Sequence, residues 1–242
     1  MNIYVGTSGF AHKEWKGKFY PEKIAPGDML RYYAGRLNTV EVNNTFYHMP
    51  KENVLHAWAE QVPDGFLLAF KAPQVITHIK RLKNVFPEIE YLFKSLTVLG
   101  PKQGPILFQF PKTFRPDMPL LEDFLALIPA AVPCAFEFRN PGWFEAGAAE
   151  LLRKKGFSLC IADTDENPVQ ELVSTASWGY LRLRRTDYPE ADLARWAEWL
   201  RATSWKNIFV YFKHEGEAAG ANLAMRFQSL LGEQAGRKVK SA

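Results

Sequence analysis

The chain predicts an α/β protein of the TIM-type (β/α)8 class, a closed barrel of parallel strands. Three observations carry that expectation. Eight short apolar runs recur along the 242 residues, most are followed by a stretch with apolar residues at helical spacing, and each run ends on or just beyond a polar or charged residue. The runs are IYVGTS, TVEVN, LLAFK, PILFQF, AFEFR, SLCIAD, YLRLR and IFVYFK. They are almost continuously apolar rather than alternating, as parallel strands covered on both faces require.

In chain order, the first run closes on GTSGF, and residues 26–37 then place Met29, Leu30, Tyr33 and Leu37 on one helical face. Strand two follows at 39–43. Pro50 stands where a helix can begin; Val54, Leu55, Trp58 and Val62 continue at three- and four-residue spacing until Pro63-Asp64-Gly65 turns the chain into strand three at 66–71. Helices at 86–99 and 117–128 alternate with strands at 105–110 and 134–139. A helix over 144–155 ends on Lys154, Lys155 and Gly156, a basic last turn and a stop, before strand six at 157–163. The segment 164–177 contains Pro168 and leaves room only for a short or irregular connection. Strand seven at 178–183 precedes a helix over 187–202 with the stripe Leu193, Trp196, Ala197 and Leu200. Strand eight at 207–212 and a helix over 218–231 complete the count. A doubly wound open sheet is the alternative, but neither GxGxxG after strand one nor a GxxxxGKS/T loop is present.

A barrel of this kind takes about 250 residues, so residues 1–235 are expected as one domain. Residues 236–242, GRKVKSA, are expected as a disordered basic tail. Apolar residues make up 47% of the chain, enough for a full core. The start MNIYVGTSGF lacks the basic residues and long apolar stretch of a secretory signal. The longest nearly apolar run, 124–136, contains Pro129 and Pro133 and falls short of the roughly 18 residues of a membrane helix. Cys134 and Cys160 show no CxxC spacing, which predicts reduced thiols and a cytoplasmic location. The net charge of +4 is unevenly placed: residues 1–177 hold 19 basic and 19 acidic side chains, residues 178–242 hold 11 and 7.

In a barrel the carboxyl ends of the strands converge on one mouth. That would gather Ser8, Glu41, Asn43, Lys71, Gln109, Glu137, Arg139, Asp163, Arg182, Arg184 and Lys213. Residues two apart share a face, which pairs Glu41 with Asn43, Glu137 with Arg139, and Arg182 with Arg184. Three acids against five bases favour an anionic ligand, phosphate or carboxylate, gripped by Arg; internal salt bridges among the same groups are the other reading. Glu41, Glu137 and Asp163 are the candidate acid/base groups, and the remainder are candidates for holding the anion. Loop aromatics, Trp15, Phe19, Tyr20, Phe46, Tyr47, Trp143 and Phe144, either stack on a ligand or anchor loops. Tyr47, His78 and Trp143 join the binding candidates. His48, His78 and His214 follow strands two, three and eight, where a divalent metal held with Glu41 and Glu137 is the lesser alternative; no HxH or HExxH spacing supports it, and no cofactor is expected. GTSGF is no nucleophile elbow, because Phe10 stands where GxSxG needs glycine.

The runs GTSGF, VEVNNTFYHMP, FKAPQVITH, ILFQFP, FEFRNPGWF and IAD together resemble the domain of unknown function 72 (YecE-like) family, in order from about Tyr4 to Phe212. The resemblance implies a TIM-type barrel and no particular reaction. It implies strand-end residues at Glu41, Asn43, Lys71, His78, Gln109, Glu137, Arg139, Trp143, Asp163 and Arg182. The chain departs from the family pattern at strand seven, with Arg182-Leu183-Arg184-Arg185 for Arg-x-His-Gly, and at strand eight, with Phe212-Lys213-His214 for Phe-Asn-Asn.

Two functional classes follow. One is an enzyme, a hydrolase or isomerase, acting on a sugar phosphate, nucleotide or other small anion by carboxylate acid/base catalysis. The other is a barrel that binds or processes nucleic acid, suggested by the basic last quarter and the loop aromatics, or a non-catalytic sensor of a small anion. No membrane partner is expected.

Overall fold

The computed structural model describes residues 1–213 and 218–239. Eight parallel strands form one sheet: β1 (Asn2–Thr7), β2 (Thr39–Val42), β3 (Leu67–Lys71), β4 (Gln103–Phe110), β5 (Cys134–Phe138), β6 (Ser158–Asp163), β7 (Trp178–Leu183) and β8 (Asn207–Phe212). Their order is β1-β8-β7-β6-β5-β4-β3-β2, and β1 pairs with β8 from Asn2↔Asn207 to Thr7↔Phe212. The helices are α1 (Met29–Ala34), α2 (Glu52–Gln61), α3 (Phe86–Leu96), α4 (Met118–Ala126), α5 (Gly142–Glu145), α6 (Ala148–Lys155), α7 (Glu190–Ala202) and α8 (Ala219–Val239). This is the TIM-type barrel that the eight runs predict.

Closure between β1 and β2 is made largely by side chains. A single parallel bridge joins Ser8 to Glu41, with Gly9 N donating to Glu41 O at 2.8 Å. Below it, the Tyr33 hydroxyl accepts from Thr7 N at 2.8 Å and donates to Thr39 O at 3.0 Å. Asn38 Oδ1 accepts from Val5 N at 2.7 Å while its Nδ2 donates to Ile3 O at 3.1 Å. Two polar side chains thus supply the pairing that a regular ladder supplies elsewhere. The strands meet closely here, since a Cβ on Gly6 would lie 2.0 Å from Thr39 O.

Two expectations of helix extent are revised. The helix expected over 144–155 is split into α5 and α6 because Gly147 takes φ 86, a left-handed conformation that interrupts helical bonding and suits glycine. The final helix continues to Val239, past the expected boundary at 231, and residues 240–242 of the basic tail lie outside the described residues. Between β6 and β7 no helix forms. The connection is tied instead by Asp163 Oδ1 accepting from Val169 N (2.9 Å) and by the Thr175 hydroxyl, which accepts from Leu159 N and donates to Phe157 O, both at 2.7 Å.

The larger apolar core lies between sheet and helices, including Val40, Phe70, Phe108, Phe136, Leu181 and Val210. A second cluster fills the barrel: Ala69, Leu107, Ala135, Cys160, Tyr180, Phe209 and Tyr211, with Tyr4, Leu67 and Trp178 packed against it. Strand alternation then fixes which residues form the next interior layer toward the carboxyl ends: Glu41, Lys71, Gln109, Glu137 and Arg182. Both cysteines are free and buried. Among the described residues, no helix is long and apolar enough to cross a membrane.

Candidate functional site

Arg182 lies at the centre of the interior polar layer. From β7 its guanidinium spans the barrel, Nη2 donating to Glu41 Oε1 at 2.9 Å and Nη1 to Glu137 Oε2 at 2.7 Å. All three side chains are buried. Burying three charges is tolerable only with nearly complete pairing, and the neighbours supply it. Glu41 Oε1 also accepts from Ser8 Oγ (2.8 Å) and Asn43 Nδ2 (3.1 Å), and Oε2 accepts from the Tyr180 hydroxyl (2.7 Å). Glu137 Oε1 accepts from Gln109 Nε2 (2.8 Å) and Arg139 Nε (3.2 Å), with Arg184 Nη1 at 3.6 Å.

The protonation states follow. Burial alone would raise both carboxyls, but for Glu41 the Arg182 charge and the donors Tyr180, Ser8 and Asn43 win, leaving it below its ordinary range. For Glu137, burial is overcome by Arg182, Arg139 and Arg184, which bring it down to about 2. Both are carboxylates at neutral pH, each accepting from at least three donors. They are poorly suited to shuttling protons and well suited to fixing Arg182.

Above this layer opens a pocket of about 320 Å³. Lys71, Gln109, Arg139, Arg182 and Lys213 line it, with Ser8 to His12 from the loop after β1 and Val42, Asn43, Asn44, Phe46 and Tyr47 from the loop after β2. Among the described residues, no carboxylate reaches its wall. Another cavity, about 390 Å³, lies at the opposite end beside Val132, Pro133, Lys155 and Trp178; it gathers no set of ionisable groups.

Lys71 is the lysine on the pocket wall whose titration is displaced by its surroundings. Its Nζ sits 3.9 Å over the Phe46 ring. Burial, then the Arg182 charge, lower it to about 8, opposed by Glu41 and Glu137 and assisted by Arg139. Nearby His78 packs edge-on against Phe46 at 4.9 Å and shares a 2.8 Å hydrogen bond with Thr77 through Nδ1. Burial, then Lys71 and Arg139, lower it to about 4, so it is neutral at pH 7.

Of the residues expected at the mouth, Ser8, Glu41, Asn43, Lys71, Gln109, Glu137, Arg139, Arg182, Arg184 and Lys213 are brought together, and Tyr47 stands at the rim. Asp163 and Trp143 are not. Ser158 and Cys160 share the inward parity of β6, so Asp163 faces outward, where Oδ2 accepts from the Tyr188 hydroxyl at 2.8 Å. Trp143 is buried against Phe138 at 5.0 Å, and its Nε1 donates to Phe114 O at 2.9 Å. Trp15, Phe19 and Tyr20 likewise anchor the first loop, Trp15 to Phe19 at 5.6 Å. His214 lies outside the described residues. Sequence reasoning missed His12, whose ring lies tilted against Trp15 at 4.6 Å, and Asn44; His12 falls in the loop directly after strand one, which was a usable signal. Among the described residues, no three His, Cys, Asp or Glu side chains gather as a metal site.

Fold and site together define a TIM-type barrel with a cation-lined strand-end pocket. The family model described as "Protein of unknown function DUF72" matches residues 4–242, and the chain belongs to that family. It is similar to UPF0759 protein YecE of Escherichia coli (strain K12), 31% identical over 156 residues covering 64% of this chain and 54% of that protein. It is also similar to UPF0759 protein YunF of Bacillus subtilis (strain 168), 30% identical over 59% of this chain and 52% of that one. The matches thus span about half the length of these relatives. A DUF72 family protein from Thermotoga maritima MSB8 superposes with TM-score 0.79 at 25% identity, covering 96% of this chain and 100% of the other. One from Enterococcus faecalis V583 gives 0.71 at 20%, covering 96% and 98%, a likeness of fold.

Proposed function

We propose that the protein is an enzyme acting on a small phosphorylated or otherwise anionic substrate, of sugar-phosphate or nucleotide size. The observation that carries this reading is the pocket wall: Lys71, Arg139, Arg182 and Lys213 line it and, among the described residues, no Asp or Glu does. An arrangement of this kind attracts an anion and grips it through guanidinium forks. Arg182 Nε and His12 Nε2 add buried donor or acceptor atoms without a partner among the described residues. The volume is at the small-molecule end of enzyme pockets, and Phe46 and Tyr47 offer apolar faces to a sugar or base.

In this reading Glu41 and Glu137 are positioning residues that hold Arg182, and the acid/base group is Lys71, whose proton equilibrium lies near physiological pH. Hydrolase and isomerase chemistry both suit such a group. The buried free thiols favour a reducing, cytoplasmic setting. The test is calorimetric titration with sulfate and phosphate at low ionic strength, followed by a turnover panel of sugar phosphates and nucleotides, comparing wild type with Arg139→Ala. Saturable anion binding, weakened in the variant, and turnover of a panel member are expected. Absence of anion binding at low salt would overturn the reading. Binding without turnover across the panel would make the protein a sensor, and preference for oligonucleotides over mononucleotides would move it to the nucleic-acid class.

A further inference from the structure

Resting on that reading, we propose that Lys71 is a nucleophile that forms a Schiff base with a carbonyl group of the anionic substrate. The substrate class is then an aldehyde or ketone bearing phosphate or carboxylate.

The argument starts from what the pocket offers as a nucleophile. Ser8 Oγ is committed to Glu41 at 2.8 Å, and a carboxylate held below its ordinary range is a weak base for a hydroxyl. Cys134 and Cys160 are buried with their thiols pushed upward, chiefly by desolvation, and neither lines the pocket. Lys71 combines access to the cavity with an amine that loses its proton near pH 8.

An amine at such a place ordinarily pairs with an acid. Here both nearby acids are spent: Glu41 on Arg182, Ser8, Asn43 and Tyr180, and Glu137 on Arg182, Gln109 and Arg139. Among the described residues, the two carboxylates that act on Lys71, Glu41 and Glu137, are both given to other donors. What faces Lys71 instead is the Phe46 ring at 3.9 Å, with Arg182 from β7, Arg139 beyond β5, Lys213 beyond β8 and His78 from the turn after β3 as charged or titratable neighbours. Desolvation and surrounding cations are the conditions that keep a lysine amine uncharged and nucleophilic. The same cations hold the anionic end of a substrate, which fixes its carbonyl over the amine.

The step balances without a further reagent. The Lys71 lone pair attacks the carbonyl carbon, and the oxygen leaves as water after taking one proton from the amine and one from the medium, leaving a protonated imine. That imine withdraws electrons from the adjacent carbon, which loses a proton or a carbon substituent more readily.

The test uses the full chain with glyoxylate, pyruvate, dihydroxyacetone phosphate and glyceraldehyde 3-phosphate in turn, in the presence of cyanoborohydride, which reduces the imine to a stable secondary amine. Intact mass and peptide mapping locate the product. A single adduct on Lys71 is expected, absent in Lys71→Arg, suppressed by sulfate, and formed faster as pH rises toward about 8. Adducts spread over exposed lysines, or no adduct on Lys71 in a protein that still binds sulfate, would overturn the proposal and leave the anion reading standing. An adduct on Lys71 that sulfate does not suppress, in a protein with no sulfate affinity, would support the nucleophile and overturn the anion reading. The wild-type peptide map decides the matter even if the variant fails to fold.

Discussion

Arg182 Nη1 donates to Glu137 Oε2 at 2.7 Å with both side chains buried to within 3%, and this contact holds the floor of the pocket. Replacing Arg182 by Met keeps an unbranched stem and removes the charged guanidinium, leaving Glu41 without its cation. Breaking such a pair from one side costs about 3–5 kcal/mol. Urea denaturation at pH 7 is expected to show a loss of that size, and the triple change Glu41→Gln, Arg182→Met, Glu137→Gln should recover most of it. A loss below about 1 kcal/mol would mean the ion cluster contributes no more than a surface pair.

The same cluster sets the acid limb of stability. Glu137 and Glu41 are depressed in the folded state, so their contribution is present above the unfolded carboxylate pKa and is lost as pH falls from about 4.5 toward about 2. His78 acts in a higher window: its folded value near 4 lies below the ordinary 6.5, so the unfolded chain takes up its proton first and stability declines as pH falls from 6.5 to 4. Denaturation midpoints between pH 7 and 2 should therefore fall in two stages. Glu137→Gln should flatten the lower one and His78→Gln the upper one.

Barrel class and strand ends were legible because eight apolar runs each end in polar residues, a pattern that requires no tertiary information. Parity within a run was not. In SLCIAD the residues on both sides of the strand are apolar, since both faces are buried, so nothing in the run separates inward Cys160 from outward Asp163. Trp143 was unreadable for a related reason: a loop aromatic turns inward when a carbonyl such as Phe114 O meets its indole N–H. The saturation of Glu41 depends on Tyr180 and Arg182, 139 and 141 residues away, and only barrel closure brings them together. The strand-end positions of Glu41, Lys71, Glu137, Arg139 and Arg182 were legible in the runs; which of them remains chemically available was a matter of hydrogen-bond counting in three dimensions.

Closure itself makes a prediction at Gly6. An added methyl group would meet Thr39 O at 2.0 Å, far inside van der Waals contact, so Gly6→Ala must push β1 from β2. Overpacking of this kind costs about 1–3 kcal/mol. Tyr33→Phe leaves the buried Thr7 N–H and Thr39 carbonyl without the hydroxyl that served both, a cost of about 1–3 kcal/mol as well. Both should destabilise in urea titration. Gly6→Ala should also weaken sulfate binding, because the displaced strand carries Ser8 to the pocket wall; unchanged stability in both variants would mean the seam is not held by these contacts.

Lys71 gives the pocket a pH dependence whose sign is fixed by its position. Below about pH 8 it is an ammonium and above it an amine, so an anion loses one favourable charge as pH rises through that value. Sulfate serves as probe because its own charge is constant from pH 7 to 10. A charge-assisted hydrogen bond contributes about 1.5–3 kcal/mol, so sulfate affinity measured by calorimetry should fall about 10- to 100-fold between pH 7 and pH 9.5, centred near 8. Lys71→Met should bind sulfate weakly at every pH in that range, with the inflection gone. An inflection that survives in Lys71→Met would assign the titration to another pocket cation, Lys213 being the next amine on the wall.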